Sequence, residues 1–515
     1  MNELTILHAS QAKLPSAPFA GRHLIAGEWR ASSDGSTFDR HAPSHGILVS
    51  TSARGGTADA EAAIAAAREA FDTGIWSRIS GKARAAILLK VADRIEDNVE
   101  RIALFETLES GKPITQARGE ISGAADLWRY AASLARTMHG DSHNTLGPDM
   151  LGVVLKEPIG VVSIITPWNF PFWILSQKLP FALAAGCTCV IKPSELTPST
   201  TVMMGRLLVE AGLPAGVANI VLGFGDPAGA LMASHPQVDM VTFTGSTTVG
   251  KAIAAAASGT LKKVALELGG KNPQVIFPDA DLDSAADAVT FGVYFNAGEC
   301  CNSGSRAIVH EDIAEALIER VVALSRKVRF GDPLDPATQV GAMISTVHCE
   351  KVDRYVREAV AAGAIVRLGG APLAIAGLPG QFYQPTVIAG VRPDMAIARD
   401  EVFGPVLSVL TFRTIEEAIA LANDASYGLS AGVWSDSVHT CLEFARRVQA
   451  GTVWTNTWMD GFPELTFGGF KQSGRGREIG PYGLDEFLEV KTVAMRIGRT
   501  RQNWVRAGSA ATVGE

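Results

Sequence analysis

Between Val161 and Glu267 short apolar runs alternate with helix-length amphipathic segments. The runs Val161–Ile165, Thr188–Ile191, Asn219–Leu222, Met240–Phe243 and Lys263–Glu267 predict strands. Strands that take turns with helices predict a parallel α/β sheet. Upstream, Ala60–Phe71 puts Ile64, Ala67 and Phe71 on one helical stripe, and Lys82–Leu108 and Ile121–Leu134 carry the same period, so all three are expected to cover that sheet. A second alternation starts at Lys271, with strands expected at Gln274–Phe277, Ala307–Val309, Gln384–Ile388, Val406–Leu410 and Thr452–Thr455 and helices at Ile313–Val328 and Val347–Ala361. The fold class is therefore α/β with two doubly wound domains, one from 1–137 and 159–270 and one from 271–480. Asn144–Pro158 and Phe487–Ile497 fall outside both alternations, and the small, polar residues from Thr500, with 501–515 at the end, read as a flexible tail.

At 515 residues the chain exceeds one hydrophobic core, and 47% hydrophobic residues imply extensive burial. A net charge of −7 without a basic cluster excludes nucleic acid as the expected partner. Met1–Arg22 lacks the apolar run of a secretory signal, and the apolar stretch Leu179–Ile191 is too short to span a bilayer, so no membrane partner and a cytoplasmic location are expected. Six cysteines without C-x-x-C pairs suit a reducing compartment. His139 and His143 stand four apart in a polar loop without further ligands, and no metal is expected.

The segment after Val161–Ile165 is Thr166–Pro171, which lacks the glycines of the usual dinucleotide fingerprint. Its replacement is Phe243–Gly250, where a strand runs into Gly245 and Ser246 precedes an alanine-rich helix. Such a helix start offers free N–H groups to a pyrophosphate, and it also suits a plain Ser cap. Lys192-Pro193-Ser194-Glu195 follows the second strand, where ribose-reading residues sit in such sheets. Glu195 accepts from ribose hydroxyls and repels a 2′-phosphate, which favours NAD over NADP, while Lys192 softens the preference. The adjacent thiols Cys300 and Cys301 lie between Gly298 and Gly304 in a stretch that permits a tight backbone, and a thiolate attacks carbonyls readily. Asn169, between Pro167 and Pro171, offers a side-chain N–H to an oxyanion or forms a turn, and Glu267 at a strand end offers a general base or a solvated carboxylate.

Thr166–Pro171, Leu266–Lys271 and Phe295–Arg306, with Ile25–Trp29 and Phe467–Gly474, resemble the signatures of the NAD(P)-dependent aldehyde dehydrogenases over nearly the whole chain. The resemblance implies a Rossmann-like cofactor domain, a catalytic domain, and a strand arm from 138–158 and 481–500 that joins subunits into a homodimer or homotetramer. It selects Cys301 over Cys300 as the nucleophile, pairs Asn169 with the Cys301 N–H at the oxyanion, and makes Glu267 the base that hydrolyses a thioester. It assigns Lys178 and Glu478 to proton transfer. Thr166, Trp168, Lys192, Glu195, Gly225, Gly245 and Ser246 become cofactor residues, with Glu401 on the nicotinamide ribose and Phe403 beside the nicotinamide. Phe170, Ile174, Gln177, Trp458, Phe462 and Phe467 are expected to form the aldehyde tunnel, where Gln177 in place of an aromatic residue favours a small or polar ω-substituted aldehyde. These stretches hold no arginine for a substrate carboxylate, although Lys178 could reach one. One departure is Glu299, where the family commonly has glutamine. The implied function is NAD-dependent oxidation of an aldehyde to the acid. Alternatives are a specialised betaine-aldehyde, aminoaldehyde or semialdehyde dehydrogenase and, more remotely, a silent NAD-binding relative.

Overall fold

The computed structural model describes residues 4–9 and 14–499, so the tail expected from Thr500 to Glu515 lies outside the described residues. Eight strands form the first sheet in the order Gly474–Arg475, Lys263–Glu267, Met240–Thr244, Val161–Ile165, Thr188–Lys192, Ala218–Ile220, His23–Ile25 and Glu28–Arg30. The five in the middle are parallel and correspond to the five expected from the apolar runs. Val161–Ile165 is buried along its whole length, as a Val/Ile run covered by helices on both faces must be. Its neighbours are Thr188–Lys192 on one side and Met240–Thr244 on the other, so the strand order reverses at its C-terminal end. Open α/β sheets bind ligands in the crevice such a reversal leaves.

The expected strand Asn219–Leu222 is found at Ala218–Ile220. It stops short because Leu222 turns out of the ladder and donates its N–H to the buried ring of His23 at 3.1 Å. That ring belongs to a hairpin, His23–Ile25 with Glu28–Arg30, turning on Ala26 and Gly27, both in the left-handed region. Three-residue strands carry too little periodicity to be read from sequence. Lys82–Leu108 divides into Gly81–Asp97 and Val99–Ser110, because Asn98 leaves the helical conformation and donates its side-chain amide to the Arg94 carbonyl at 2.8 Å.

The second sheet has the order Ile365–Leu368, Thr386–Ala389, Val406–Phe412, Arg306–His310, Pro273–Ile276, Ser430–Trp434 and Thr452–Thr455. Only Ile365–Leu368 runs antiparallel to its neighbour. Gln384–Ile388 starts later than expected, at Thr386, since Pro385 has no N–H to give a ladder. In a third sheet Leu488–Arg496 pairs antiparallel along all of Met150–Pro158, which also pairs with Asp141–His143. No helix among the described residues is long and apolar enough to cross a membrane.

The helix Pro171–Ala185 carries the site on its first turns. Pro171 starts it where a missing N–H costs nothing, and Gly186, at φ 102°, ends it. Leu179 on this helix is fully buried in the largest core cluster. Leu179→Ala is expected to cost about 2–5 kcal/mol. A clear drop in thermal midpoint would show this, and an unchanged midpoint would mean that the core closes over the cavity.

Candidate active site

Cys301 lies just beyond a strained turn. After the helix Leu282–Tyr294 the chain passes through Asn296, Ala297 and Gly298 with φ of 52°, 56° and 72°. At Gly298 a side chain is excluded outright, because a Cβ there would fall 2.2 Å from the Gly404 carbonyl oxygen. The turn is tied from two sides. Asn272 donates its side-chain amide to the carbonyls of Cys301 (2.7 Å) and Ser303 (2.9 Å) and accepts from the Ser430 N–H at 3.1 Å. From the first sheet, Asn169 Nδ2 donates to the Glu299 carbonyl at 3.1 Å. Asn296 Nδ2 donates to that carbonyl at 3.0 Å and to the Asn169 carbonyl at 3.2 Å. The Asn169 amide has a second N–H, which suits an oxyanion formed at Cys301.

Sequence reasoning missed Asn272 and Asn296. The signal for Asn272 was an asparagine directly before the buried strand Pro273–Ile276, and it is itself buried. Glu299 points away from Cys301, since its Oε1 accepts the Ile344 N–H at 2.9 Å. The Cys301 thiol is pushed well up, first by its contact with the Cys300 thiol, then by burial and by the Glu401 carboxylate. Cys301 is nonetheless partly accessible, while the other five cysteines are buried.

Glu267 ends the strand Lys263–Glu267, is buried, and leaves Oε2 without a hydrogen-bond partner among the described residues. Burial pushes its carboxyl well up and Glu478 adds to this, while Lys178 offsets part. Lys178 and Glu478 form a buried ion pair. Thr242 Oγ1 accepts from Lys178 Nζ at 3.0 Å and lies 3.3 Å from Glu478 Oε1. Glu478 reaches this place because Gly474–Arg475 pairs with Leu266 and Glu267 at the edge of the first sheet. Lys178, committed to that pair, is not available to a substrate carboxylate.

The expected cofactor residues gather at the reversal in strand order. Thr166 follows Val161–Ile165, donates its N–H to the Lys192 carbonyl at 3.1 Å, and keeps a buried hydroxyl without a partner among the described residues. Lys192 ends Thr188–Lys192, donates to the Pro193 carbonyl at 3.0 Å, and is pushed down to about 8 by burial, with Glu195 acting the other way. Ser246 does cap the helix Thr247–Ala257, accepting from the Val249 N–H at 3.4 Å, and Gly245 stands just before it. Gly225 faces open space, with nothing within 4 Å of an added Cβ. Across the cleft the Gly270 N–H donates to Glu401 Oε1 at 3.0 Å. Phe403, at φ 61°, meets Trp168 edge-on with ring centres 5.6 Å apart. An orphan hydroxyl, a helix start, an open glycine and the two carboxylates Glu195 and Glu401 together suit a dinucleotide with its two ribose diols.

A cavity of about 800 Å³ reaches Cys301 and Glu267. Of the expected tunnel residues, Phe170, Ile174, Gln177, Phe462 and Phe467 line it. Trp458 does not. It is buried in a slot left by Gly292, Gly304 and Gly432, where any added Cβ would meet the indole. Its neighbour Trp454, with a ring centre 4.9 Å away, lines the cavity instead. Sequence reasoning also missed Gln116 and Glu120, which the helix Ile114–Thr137 brings to the wall from far along the chain. Glu120 pairs with Lys112 and accepts from Gln116 Nε2 at 2.7 Å. Lys112 Nζ in turn lies 4.4 Å from the centre of the Phe170 ring.

Asn272→Ala frees two carbonyls of the Cys301 turn. Because small misplacements near reacting atoms are costly, kcat is expected to fall about 10- to 100-fold. KM for the aldehyde should change little, and a wild-type kcat would show that Asn272 does not hold the turn.

The aldehyde dehydrogenase family model matches residues 29–493. The chain is 42% identical over 481 residues to a betaine aldehyde dehydrogenase of Bacillus subtilis (strain 168), covering 93% of this chain and 98% of that one. It is 40% identical to aminoaldehyde dehydrogenase 2 of Zea mays, covering 94% and 97%. Among solved structures, the NAD-dependent aldehyde dehydrogenase from Sinorhizobium meliloti matches with a TM-score of 0.95 and 51% identity, covering 97% of this chain and 99% of that one. Betaine aldehyde dehydrogenase from Staphylococcus aureus in complex with NAD+ matches at 0.92 and 39%, covering 94% and 97%.

Proposed function

Because this chain belongs to the aldehyde dehydrogenase family, we propose that Cys301, Glu267 and Asn169 carry its NAD-dependent oxidation of an aldehyde to the acid. The observation that carries this reading is one cavity opening on both Cys301 and Glu267, with Asn169 tied into the turn that holds the nucleophile. Cys301 gives its thiol proton to the ionised Glu267 carboxylate, which passes it to the Lys178–Glu478 pair, and Sγ attacks the carbonyl carbon to form a thiohemiacetal whose oxygen Asn169 Nδ2 and the Cys301 N–H hold. NAD, when bound, supplies the acceptor for the hydride whose loss leaves a thioester. Glu195 and Glu401 would hold its riboses, Ser246 and Gly245 its pyrophosphate, Thr166 and Lys192 the floor of the site, and Trp168 and Phe403 the nicotinamide side. Gly225 leaves room beside the adenine end. Glu267 then takes a proton from the water that hydrolyses the thioester, a role to which a raised carboxyl pKa is matched. Lys178 and Glu478 carry that proton on.

The lining supports an aldehyde with a polar or cationic end. Glu120, Asp460, Gln116 and Gln177 share the wall with aromatic faces such as Trp173 and Phe295, and no Lys or Arg among the described residues lines it. That combination suits betaine-aldehyde or aminoaldehyde substrates over semialdehydes, whose carboxylate would face Asp460, the Glu120 carboxyl being already paired with Lys112. The division into cofactor and catalytic domains at residue 270 and the arm from 138–158 and 481–500 belong to the same proposal. So does assembly into a homodimer or homotetramer, supported by the edge strand Leu488–Arg496, which exposes Val490 and Met495 beside Ile497. Six free cysteines support a cytoplasmic site of action.

NADH formation with simple, cationic and carboxylate-bearing aldehydes, using NAD and NADP, tests the reading. Turnover is expected with NAD and to vanish in Cys301→Ala. Turnover that survives in that variant, or is restricted to carboxylate-bearing aldehydes, would overturn the corresponding part. Glu267→Gln should convert steady turnover into a burst of NADH followed by slow release. The Glu267 carboxyl works only when ionised, so the wild-type hydrolysis rate should fall as pH drops through its raised pKa. In Glu267→Gln that acid limb should be missing, and an identical limb in both would assign it to another group.

A further inference from the structure

Glu299 is where this chain departs from the common family pattern, and its surroundings give the departure a role. The residue is buried. Its main-chain carbonyl receives Asn169 and Asn296, and its side chain runs the other way to the Ile344 N–H. Ile344 leads into the helix Thr346–Ala361, whose N-cap Ser345 accepts from the His348 N–H at 3.2 Å. On the first turn of that helix His348 Nε2 stands 3.7 Å from Glu299 Oε1 and 2.7 Å from the Phe403 carbonyl. The rings of His348, Trp168 and Phe403 meet edge-on in a triangle with centres 5.6–5.8 Å apart.

We propose that Glu299 is a positioning residue whose side chain clamps the nucleophile turn to the Ile344–His348 segment and, through His348, to the Phe403 wall of the cofactor site. The proposal rests on the reading of Cys301 as the nucleophile. One residue then holds the oxyanion side of the turn by its backbone and, by its carboxyl on the Ile344 N–H, the segment whose His348 reaches the Phe403 carbonyl. Burial pushes the Glu299 carboxyl well up, and the Ile344 N–H, Lys112 and Arg40 only partly oppose this. Burial also pushes His348 down, to about 4, so the ring is neutral at neutral pH and its Nε2–H donates to the Phe403 carbonyl. The thiol of Cys349, on the same helix, is raised by burial and in part by Glu299. Around Glu299 there is therefore one neutral imidazole, two cations acting at a distance, and a protonated thiol. A neutral carboxyl in this setting does the work that a glutamine amide does, as an acceptor for the Ile344 N–H.

The sign of the pH effect follows from the raised carboxyl. Below the ordinary carboxyl range Glu299 is neutral both folded and unfolded and costs nothing. As pH rises above that range the unfolded chain releases the proton and the folded chain keeps it, so stability falls until the folded pKa is reached. Glutamine at this position has no such penalty.

Wild type, Glu299→Gln and Glu299→Ala would be compared for kcat, KM for NAD, iodoacetamide alkylation of Cys301 and thermal midpoint between about pH 5 and about pH 9, with Cys301→Ala as the alkylation blank. Glu299→Gln should keep the clamp, with kcat at neutral pH within about twofold of wild type. Its midpoint advantage over wild type should grow from acid to alkaline pH. Glu299→Ala should lose about tenfold in kcat and in alkylation rate and raise KM for NAD, since both ends of the clamp shift. The proposal is overturned if the Ala variant alkylates and binds NAD like wild type, if Gln is as impaired as Ala, or if the midpoint difference between Gln and wild type is the same at every pH. A wild type that alkylates at Cys301 without oxidising any aldehyde would instead sink the proposed function and leave the clamp to be judged on alkylation and stability.

Discussion

The carbonyl of Glu299 is where the two sheets are locked together. It accepts from Asn169, which hangs from the first sheet, and from Asn296, inside the turn before Cys301. A buried carbonyl must be satisfied, and two amides on one oxygen leave little freedom to either donor. The opposite side of the turn is fixed by Asn272, and Gly270 approaches so closely that an added Cβ would lie 2.4 Å from the Cys301 carbonyl oxygen. A turn holding Asn296 and Ala297 in the left-handed region does not persist by itself. It persists because the amides that orient Cys301 also offset that strain.

Electrostatics follow from the same burial. Glu267, Glu478, Glu299 and Glu401 are all pushed toward the neutral form by loss of water, and each meets a different counterweight. Glu478 has Lys178 in direct contact, Glu401 has the Gly270 N–H, and Glu299 has the Ile344 N–H. Glu267, like Glu478, keeps one oxygen without a hydrogen-bond partner among the described residues, which suits the role of base proposed for it. One helix faces two environments. Pro171–Ala185 turns Ile174 and Gln177 to the cavity at Cys301 and Lys178, one position on, to the buried pair.

The parallel strands were legible because strands buried on both faces must be continuously apolar, and Val161–Ile165 and Thr188–Lys192 show that plainly. The His23–Ile25 hairpin was not, since it is held by an antiparallel bridge between Leu24 and Ile220, distant in sequence, and by the ring of His23. Nor was the break at Asn98, where one side-chain bond outweighs a helical pattern that runs through it. Trp458 was expected on the tunnel wall from the family resemblance, yet three glycines from separate elements open a slot for it behind the wall.

The sequence by itself determined the chemistry available. A thiol between glycines, a carboxylate at a strand end and an amide between prolines are local patterns, legible because each element is built by its near neighbours. Only the tertiary structure decided which way Glu299 points, that Lys178 and Glu478 form an interior pair, that Asn272 holds the Cys301 turn, and that Glu120 reaches the cavity wall. Those outcomes depend on contacts between residues far apart in the chain. Burial and the satisfaction of buried polar groups arise when sheets and helices close over one another, and no window along the chain contains both partners.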